Sequence, residues 1–250
     1  MSFLDRTLTS LQKKEVIIPY LEEALMKNDF VEAEYQVKVF NGPHKYSGYF
    51  HPSSDITAGD YQLYYKFHPK LRLLIDEEKI SPTSQMTFQV GSAFHAIIQS
   101  MLIHLGFTTI EDVEVKFRNE EHNVSGMVDV LNLTLPNGDK YLIDIKSANR
   151  LPNEASYLYA MQLRIYQDLC PGAPEKMALL FIEKTYPHRM KEIVVEKDDV
   201  ELQKIYDKWD RVRVAINTGD TKDLKRCCGD ITDEKYLSCP ARHICKFYNP

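Results

Sequence analysis

The apolar positions along the chain change period several times, and each change marks an element. Between Gln85 and Leu105 apolar residues recur at Phe88, Phe94, Ile98, Met101, Leu102 and Leu105, the spacing of one helical face. Gly106 follows where a C-terminal glycine stop belongs. Val113, Val115 and Phe117 then alternate with Glu114 and Lys116, as in a half-buried strand. Val124 to Leu135 predicts a second strand and Tyr141 to Lys146 a third, with Asn137-Gly138 between them as a hairpin signal. A helix is predicted from Glu154 to Leu169, strands over Met177 to Ile182 and near Glu192 to Val195, and a last helix from Asp199 to Ile216. Upstream, a helix is expected within Leu11 to Lys27, followed by short extended pieces. Ser53-Ser54-Asp55 reads as a cap before a short helix through Tyr61, Leu63, Tyr64 and Phe67. The order helix, three strands, helix, strand predicts an α/β core with helices packed on a mixed sheet.

Composition narrows the class. With 250 residues, 44% of them hydrophobic and 11% aromatic, the chain can bury a full core and does not have the composition of a disordered protein. We read it as one domain: an N-terminal addition over 1–85, an α/β core over 86–200, and a C-terminal helix with a cysteine-bearing tail over 201–250. No run approaches about 18 uninterrupted apolar residues. Met1 to Leu11 has neither a basic nor an apolar signal region, so a cytoplasmic protein without a membrane span is expected. The 31 basic and 36 acidic residues leave a net charge of −5, which argues against the broad basic footprint of a general nucleic-acid binder. A local basic groove around acidic metal ligands stays compatible with that balance.

The hairpin carries the candidate chemistry. A two-residue turn at Asn137-Gly138 pairs Pro136 with Asp139 and, further along, Asp129 with Lys146; Asp144 then lies diagonal to Asp129 on the same face. A slip of two residues places Asp129 directly opposite Asp144, whereas a slip of one inverts a face and breaks the cluster. Two close carboxylates repel, and a divalent cation removes the conflict: Mg²⁺ or Mn²⁺ takes carboxylate, water and phosphate oxygens. Lys146 is placed to orient a water or neutralise developing charge. A cross-strand salt bridge with one spare carboxylate is the alternative these residues leave open. His95, with small Gly91 one turn earlier, is either a ligand or a satisfied core histidine. Gln162 and Tyr166 share a helical face at i, i+4, suited to hydrogen-bonding a phosphate or base, or to ordinary packing.

Taken in order, His95, Gly126 to Asp129, Asp144-Ile145-Lys146 and Gln162 to Tyr166 resemble the PD-(D/E)XK nuclease superfamily, most of all its RecB-like exonuclease branch with CRISPR-associated and phage-encoded members. The resemblance spans about Phe88 to Leu169 and implies a restriction-endonuclease-like core, a central mixed sheet flanked by helices. It implies that His95, Asp129 and Asp144 hold the metal with help from the Ile145 carbonyl, that Lys146 is the catalytic lysine, and that Gln162 and Tyr166 contact DNA. The expected activity is metal-dependent hydrolysis of DNA phosphodiesters, as an exonuclease on single strands or duplex ends, in recombination, repair or phage or defence DNA processing. A structure-selective endonuclease of the same fold and a catalytically silent nucleic-acid-binding module are the alternatives. A homo-oligomer or a recombination or repair protein is the expected partner besides DNA.

The cysteines form a second signal. Five is an odd number, which suits a reducing compartment, and Cys227, Cys228, Cys239 and Cys245 crowd the tail. Thiolates select zinc or an iron–sulfur cluster, and His243 is a further donor; packing as small apolar residues is the alternative. Iron–sulfur members of the resembled branch carry an early cysteine after a Ser-Ser segment. Here Ala58, Gly59 and Asp60 stand in that neighbourhood, and Tyr236 stands where a third C-terminal cysteine is expected.

Overall fold

The computed structural model describes residues 15–27, 46–75, 81–229 and 232–245. Its elements are α1 (Ile18–Lys27), α2 (Pro52–Asp55), α3 (Asp60–Phe67), α4 (Pro82–His104), β1 (Val113–Asn119), β2 (Val124–Thr134), β3 (Lys140–Ala148), α5 (Tyr157–Leu169), β4 (Lys176–Glu183), β5 (Met190–Val195), α6 (Asp199–Thr218) and α7 (Glu234–Leu237). The extended pieces expected over 28–45 lie outside the described residues. Ser53-Ser54-Asp55 is not a cap but part of α2 itself, and α3 starts after Gly59 with no side-chain cap. The later helices do use the caps their sequences offer. The hydroxyls of Ser81 and Ser156 accept from the N–H groups of Ser84 and Tyr159, and Gly219, at φ 76, closes α6.

The strands form one mixed sheet in the order β1-β2-β3-β4-β5, parallel between β3 and β4 and antiparallel elsewhere. α5 supplies the crossover that a parallel pair requires. Helices cover both faces, so the central strands are apolar without interruption, as in Met177 to Ile182. On one face Ile143, Ile145, Leu180 and Ile182 pack with Ile18, Leu21, Ile98 and Leu102 from α1 and α4. On the other, Leu142, Leu179 and Phe181 pack with α3, α5 and α6 through Leu63, Leu163 and Trp209. The Glu192 carboxylate of β5 fastens the start of α1 by accepting from the backbone N–H groups of Val16, Ile17 and Ile18. These features agree with the restriction-endonuclease-like fold class that the sequence implies.

α4 is the element that bears on the sequence-based expectation about membranes. Among the described residues it is the one helix long and apolar enough, by length and composition, to cross a bilayer. Its C-terminal half instead covers the sheet through Ile98 and Leu102, while Met86, Phe88, Val90 and Ile97 are exposed.

The β2–β3 register differs from that of a two-residue turn, for two local reasons. The loop has three residues, Pro136 to Gly138: Gly138 N–H donates to Leu135 O (2.8 Å), Leu135 N–H donates to Asp139 O (2.9 Å), and Gly138 sits at φ 85. This shifts the pairing by one, so that Thr134 faces Lys140. An irregularity between Val130 and Leu133 shifts it by one more, so that Val130 faces Ile143. The two shifts together set a register that, continued one position, would place Asp129 opposite Asp144.

The segment before α3 is built into the core. Phe50 bridges to Val124 and stacks on Trp209 of α6, with ring centroids 5.1 Å apart and planes 7° apart. Trp209 is 1% exposed and its Nε1 has no hydrogen-bond partner, so it contributes packing alone. We expect Trp209→Ala to cost about 3–5 kcal/mol. Trp209→Phe keeps a ring on Phe50, sacrifices no hydrogen bond and should cost clearly less. Urea unfolding followed by circular dichroism measures both; equal losses would contradict this account.

Candidate active site

Beyond Val130 and Ile143 the paired strands part. β3 continues alongside β4 as far as Ala148 and Glu183. The edge of β2 facing β3 is taken up instead by Phe50, whose N–H donates to Asn123 O (2.8 Å) and whose carbonyl accepts from Ser125 N–H (3.0 Å). The parting opens a cleft of about 740 Å³, and Asp129, Asp144, Lys146, His95, Gln162 and Tyr166 all border it. Side-chain alternation along β2 also breaks here: Val128 joins one core and Val130 the other. Across from this break stands Glu114, between the Val113–Val130 and Val115–Val128 pairs, with its backbone left-handed at φ 51. For a residue with a β-carbon that conformation is strained, and it coincides with the point where the strand turns Asp129 toward the cleft.

Both carboxylates are nearly buried, Asp144 at 2% and Asp129 at 8% exposure. Asp129 Oδ2 accepts from Ile145 N–H (2.7 Å), and Oδ1 lies 3.4 Å from His95 Nδ1. Asp144 Oδ2 lies 2.7 Å from Lys146 Nζ but has no well-aligned hydrogen bond. Burial, with the Asp129 charge adding to it, pushes the Asp144 carboxyl up to about 6, although Lys146 and His95 oppose the shift. Burial also works against the Lys146 ammonium, yet the charges of Asp144 and Asp129 outweigh it and its pKa is raised. For His95 the same contest, burial against the two carboxylates, likewise ends in a raised pKa.

Gln162 and Tyr166 border the cleft, but not as a face open to a ligand. Lys146 Nζ donates to Gln162 Oε1 (3.0 Å), and Gln162 Nε2 donates to the Tyr166 hydroxyl (2.9 Å). Both residues are at least nine-tenths buried. Burial and the nearby Asp144 charge raise the Tyr166 pKa, so the phenol stays protonated. The chain Asp144–Lys146–Gln162–Tyr166 fixes the ammonium head, and the Tyr159 ring lies under it at 4.8 Å. Ile145 is seen to act through its N–H, toward Asp129. Gln99, one turn after His95, donates to Asp129 O (3.2 Å) and steadies the β2 backbone. Its spacing from His95 was the only hint of that role in the sequence.

The donor set fits a divalent cation. Two carboxylates on facing strands, one with a buried oxygen lacking an aligned donor and a carboxyl destabilised as an anion, are oxygen ligands short of positive charge. Among the described residues no three His, Cys, Asp or Glu side chains already surround a common point; at Asp144 the neighbouring charge is the Lys146 ammonium. In the tail, Cys227 lies near Cys228 and Cys239, and Cys239 near Cys228 and Cys245, although among the described residues no three such donors form a group that could hold a metal ion. Cys245 is buried and the other three are half-buried. Burial, with the neighbouring Cys228 and Cys239 thiols adding to it, pushes the Cys227 thiol up to about 11. Cys227 backs onto Gly59, where an added β-carbon would stand 2.0 Å from its own. The segment that lacks the early cysteine is therefore filled by Cys227.

Residues 101–246 match the PD-(D/E)XK nuclease superfamily. The chain belongs to that superfamily. The match takes in Asp129, Asp144, Lys146, Gln162 and Tyr166, while His95 lies just before it. PD-(D/E)XK nucleases generally use divalent metals such as Mg²⁺ or Mn²⁺. None of the curated proteins matches. Among solved structures, SSO0001 is 16% identical, with 94% of this chain and 98% of that chain covered and a TM-score of 0.46. An alkaline exonuclease from Laribacter hongkongensis is 15% identical, with 69% of this chain and 89% of that chain covered and a TM-score of 0.45.

Two outcomes are expected from this geometry. A β-carbon at Gly126 would stand 2.7 Å from Phe117 Cε1 and 2.8 Å from Tyr166 Cε1, so Gly126→Ala must displace a ring. We expect it to cost about 1–3 kcal/mol, read as a lower thermal midpoint. Lys146→Met removes the counter-charge of Asp144. Because the folded Asp144 pKa lies above its unfolded value near 3.8, the carboxyl favours folding most at acid pH and loses that contribution as pH rises through about 6. In chelator, the stability gap between Lys146→Met and the parent should therefore be wide above pH 6 and close toward pH 4. A gap independent of pH would contradict the pairing.

Proposed function

We propose that this protein is a divalent-cation-dependent deoxyribonuclease acting as an exonuclease on single-stranded DNA or duplex ends. The observation that carries the reading is the convergence of Asp129, Asp144 and Lys146 in one cleft, with Lys146 held by a buried hydrogen-bond chain. Asp129 and Asp144, with His95 beside Asp129, would hold Mg²⁺ or Mn²⁺. When bound, the cation supplies Lewis-acid stabilisation of phosphoryl charge and makes a water easier to deprotonate. Hydrolysis joins a water oxygen to phosphorus as the bond to the bridging sugar oxygen breaks, leaving a phosphomonoester and a hydroxyl.

The chain's own residues prepare that step. The Ile145 N–H and His95 each engage one Asp129 oxygen, which fixes the orientation of the carboxylate. Gln162 and Tyr166 stop the Lys146 side chain from swinging away, so its N–H donors stay beside Asp144 for a water or a phosphate oxygen. The cleft also answers the unfavourable net charge. It is bordered by Lys116, Arg118 and Lys146 against only Asp129 and Asp144, so it is basic within an acidic protein.

End-labelled linear DNA incubated with Mg²⁺ or Mn²⁺ tests the reading. Asp129→Ala, Asp144→Ala and Lys146→Ala should each lower cleavage by about a hundredfold to a thousandfold, the scale of losing a principal electrostatic group. Chelator should abolish cleavage, and covalently closed circles should be spared. Full activity of Asp144→Ala would refute the assignment; rapid cutting of circles would replace exonuclease by endonuclease.

A further inference from the structure

The cleft continues past the carboxylates, along β2, to residues that the nuclease chemistry does not use. Ser47, His51, Ser53, Lys116, Arg118 and Ser125 border this second end. The β1–β2 register sets Lys116 opposite Met127 and Arg118 opposite Ser125. Direct cross-strand neighbours share a face, so both cations stand on the face of Ser125 and Met127, away from the buried Phe117 and Val128. The His51 ring is fixed between two hydroxyls, with Nε2 2.7 Å from Ser47 Oγ and Nδ1 3.3 Å from Ser125 Oγ. Its own backbone N–H donates to the buried Asp55 (2.8 Å), which anchors the residue from behind. Arg118 lies over the Tyr49 ring, with its guanidinium carbon 5.3 Å from the centroid, and the Tyr49 hydroxyl is itself tied to Glu120.

We propose that Arg118 and Ser125, with the His51 ring orienting the Ser125 hydroxyl, seat a second phosphate of the DNA strand, remote from the phosphorus that is cut. The inference rests on the nuclease reading of the same cleft and adds where the rest of the strand is held. Ser125 and Asp129 are four residues apart on β2, about 13 Å at strand rise. A phosphate reaches its partners over about 3 Å, so no single phosphate touches both ends of the cleft. The Ser125 hydroxyl and the Arg118 guanidinium are donors of the kind that phosphate oxygens take, and the His51 ring, held between Ser47 and Ser125, fixes the direction of the hydroxyl. The contacts are to the backbone, so the seat fixes position without reading sequence.

The test compares a single-stranded oligodeoxynucleotide, which carries many phosphates, with bis(4-nitrophenyl) phosphate, which carries one. His51→Ala, Ser125→Ala and the exposed Arg118→Gln should each lower kcat/KM on the oligonucleotide by about tenfold more than on the single diester. Binding of the fluorescein-labelled oligonucleotide, measured in EDTA so that no turnover is needed, should weaken by a similar factor. For Arg118→Gln its salt dependence should also become shallower. Equal losses on the two substrates, or unchanged oligonucleotide affinity in all three variants, would overturn the seat. A parent protein that cleaves neither substrate, yet whose variants bind more weakly, would overturn the deoxyribonuclease reading and leave the seat standing.

Discussion

Two carboxylates that the strand register would set directly opposite each other across an antiparallel pair define the terms for this molecule. Continued pairing would bring the Asp129 and Asp144 side chains to about 5 Å in a nearly water-free interior, where like charges oppose each other strongly. The backbone ladder ends one position earlier, at Val130 and Ile143. The Ile145 N–H, released from a partner on β2, goes to the Asp129 carboxylate, and the Lys146 ammonium goes to Asp144. The opening of the sheet and the neutralisation of the acids are thus one structural event, and the cleft is its product. A divalent cation would complete what Lys146 only begins.

Everything around the parting serves to hold it. α4 arrives from one layer with His95 and Gln99, which grip the Asp129 carboxylate and carbonyl. α5 arrives from the other with Gln162 and Tyr166, which grip Lys146. Tyr166 in turn packs edge-on against Phe117, and the missing side chain at Gly126 is what lets the two rings meet over β2. Phe50 occupies the strand edge that β3 has abandoned and stacks on Trp209 of α6. The segment before α3, which by sequence looks like an addition, is therefore part of the frame of the cleft.

Charge illustrates the distance between composition and site. A net −5 describes the solvated exterior; the field a substrate meets is set by the few groups that border the cleft, where cations exceed acids. Lys116 and Arg118 are two alternating residues of an edge strand, indistinguishable along the chain from any solvated face. Only the β1–β2 register sets them beside the cleft.

Element types and most of their bounds were legible in the sequence, because periodicity reports burial directly: the helical spacing of Phe94, Ile98 and Leu102 and the apolar run from Met177 to Ile182 leave little choice. The order of Asp129, Asp144 and Lys146 on two hairpin strands was legible as well, since strand geometry brings such positions together under either of two registers. Which register holds was not legible. It depends on a three-residue loop and an irregularity in β2, each worth one position, and a single shift alone would have turned the acids to opposite faces. Nor could the chain reveal that Gln162 and Tyr166 face inward to Lys146, or that His51 meets Ser125 across a sequence separation of 74 residues. Local pattern says which side of an element is apolar; what a polar side chain on it will touch is decided by neighbours distant in sequence, and those exist only once the sheet has formed and parted.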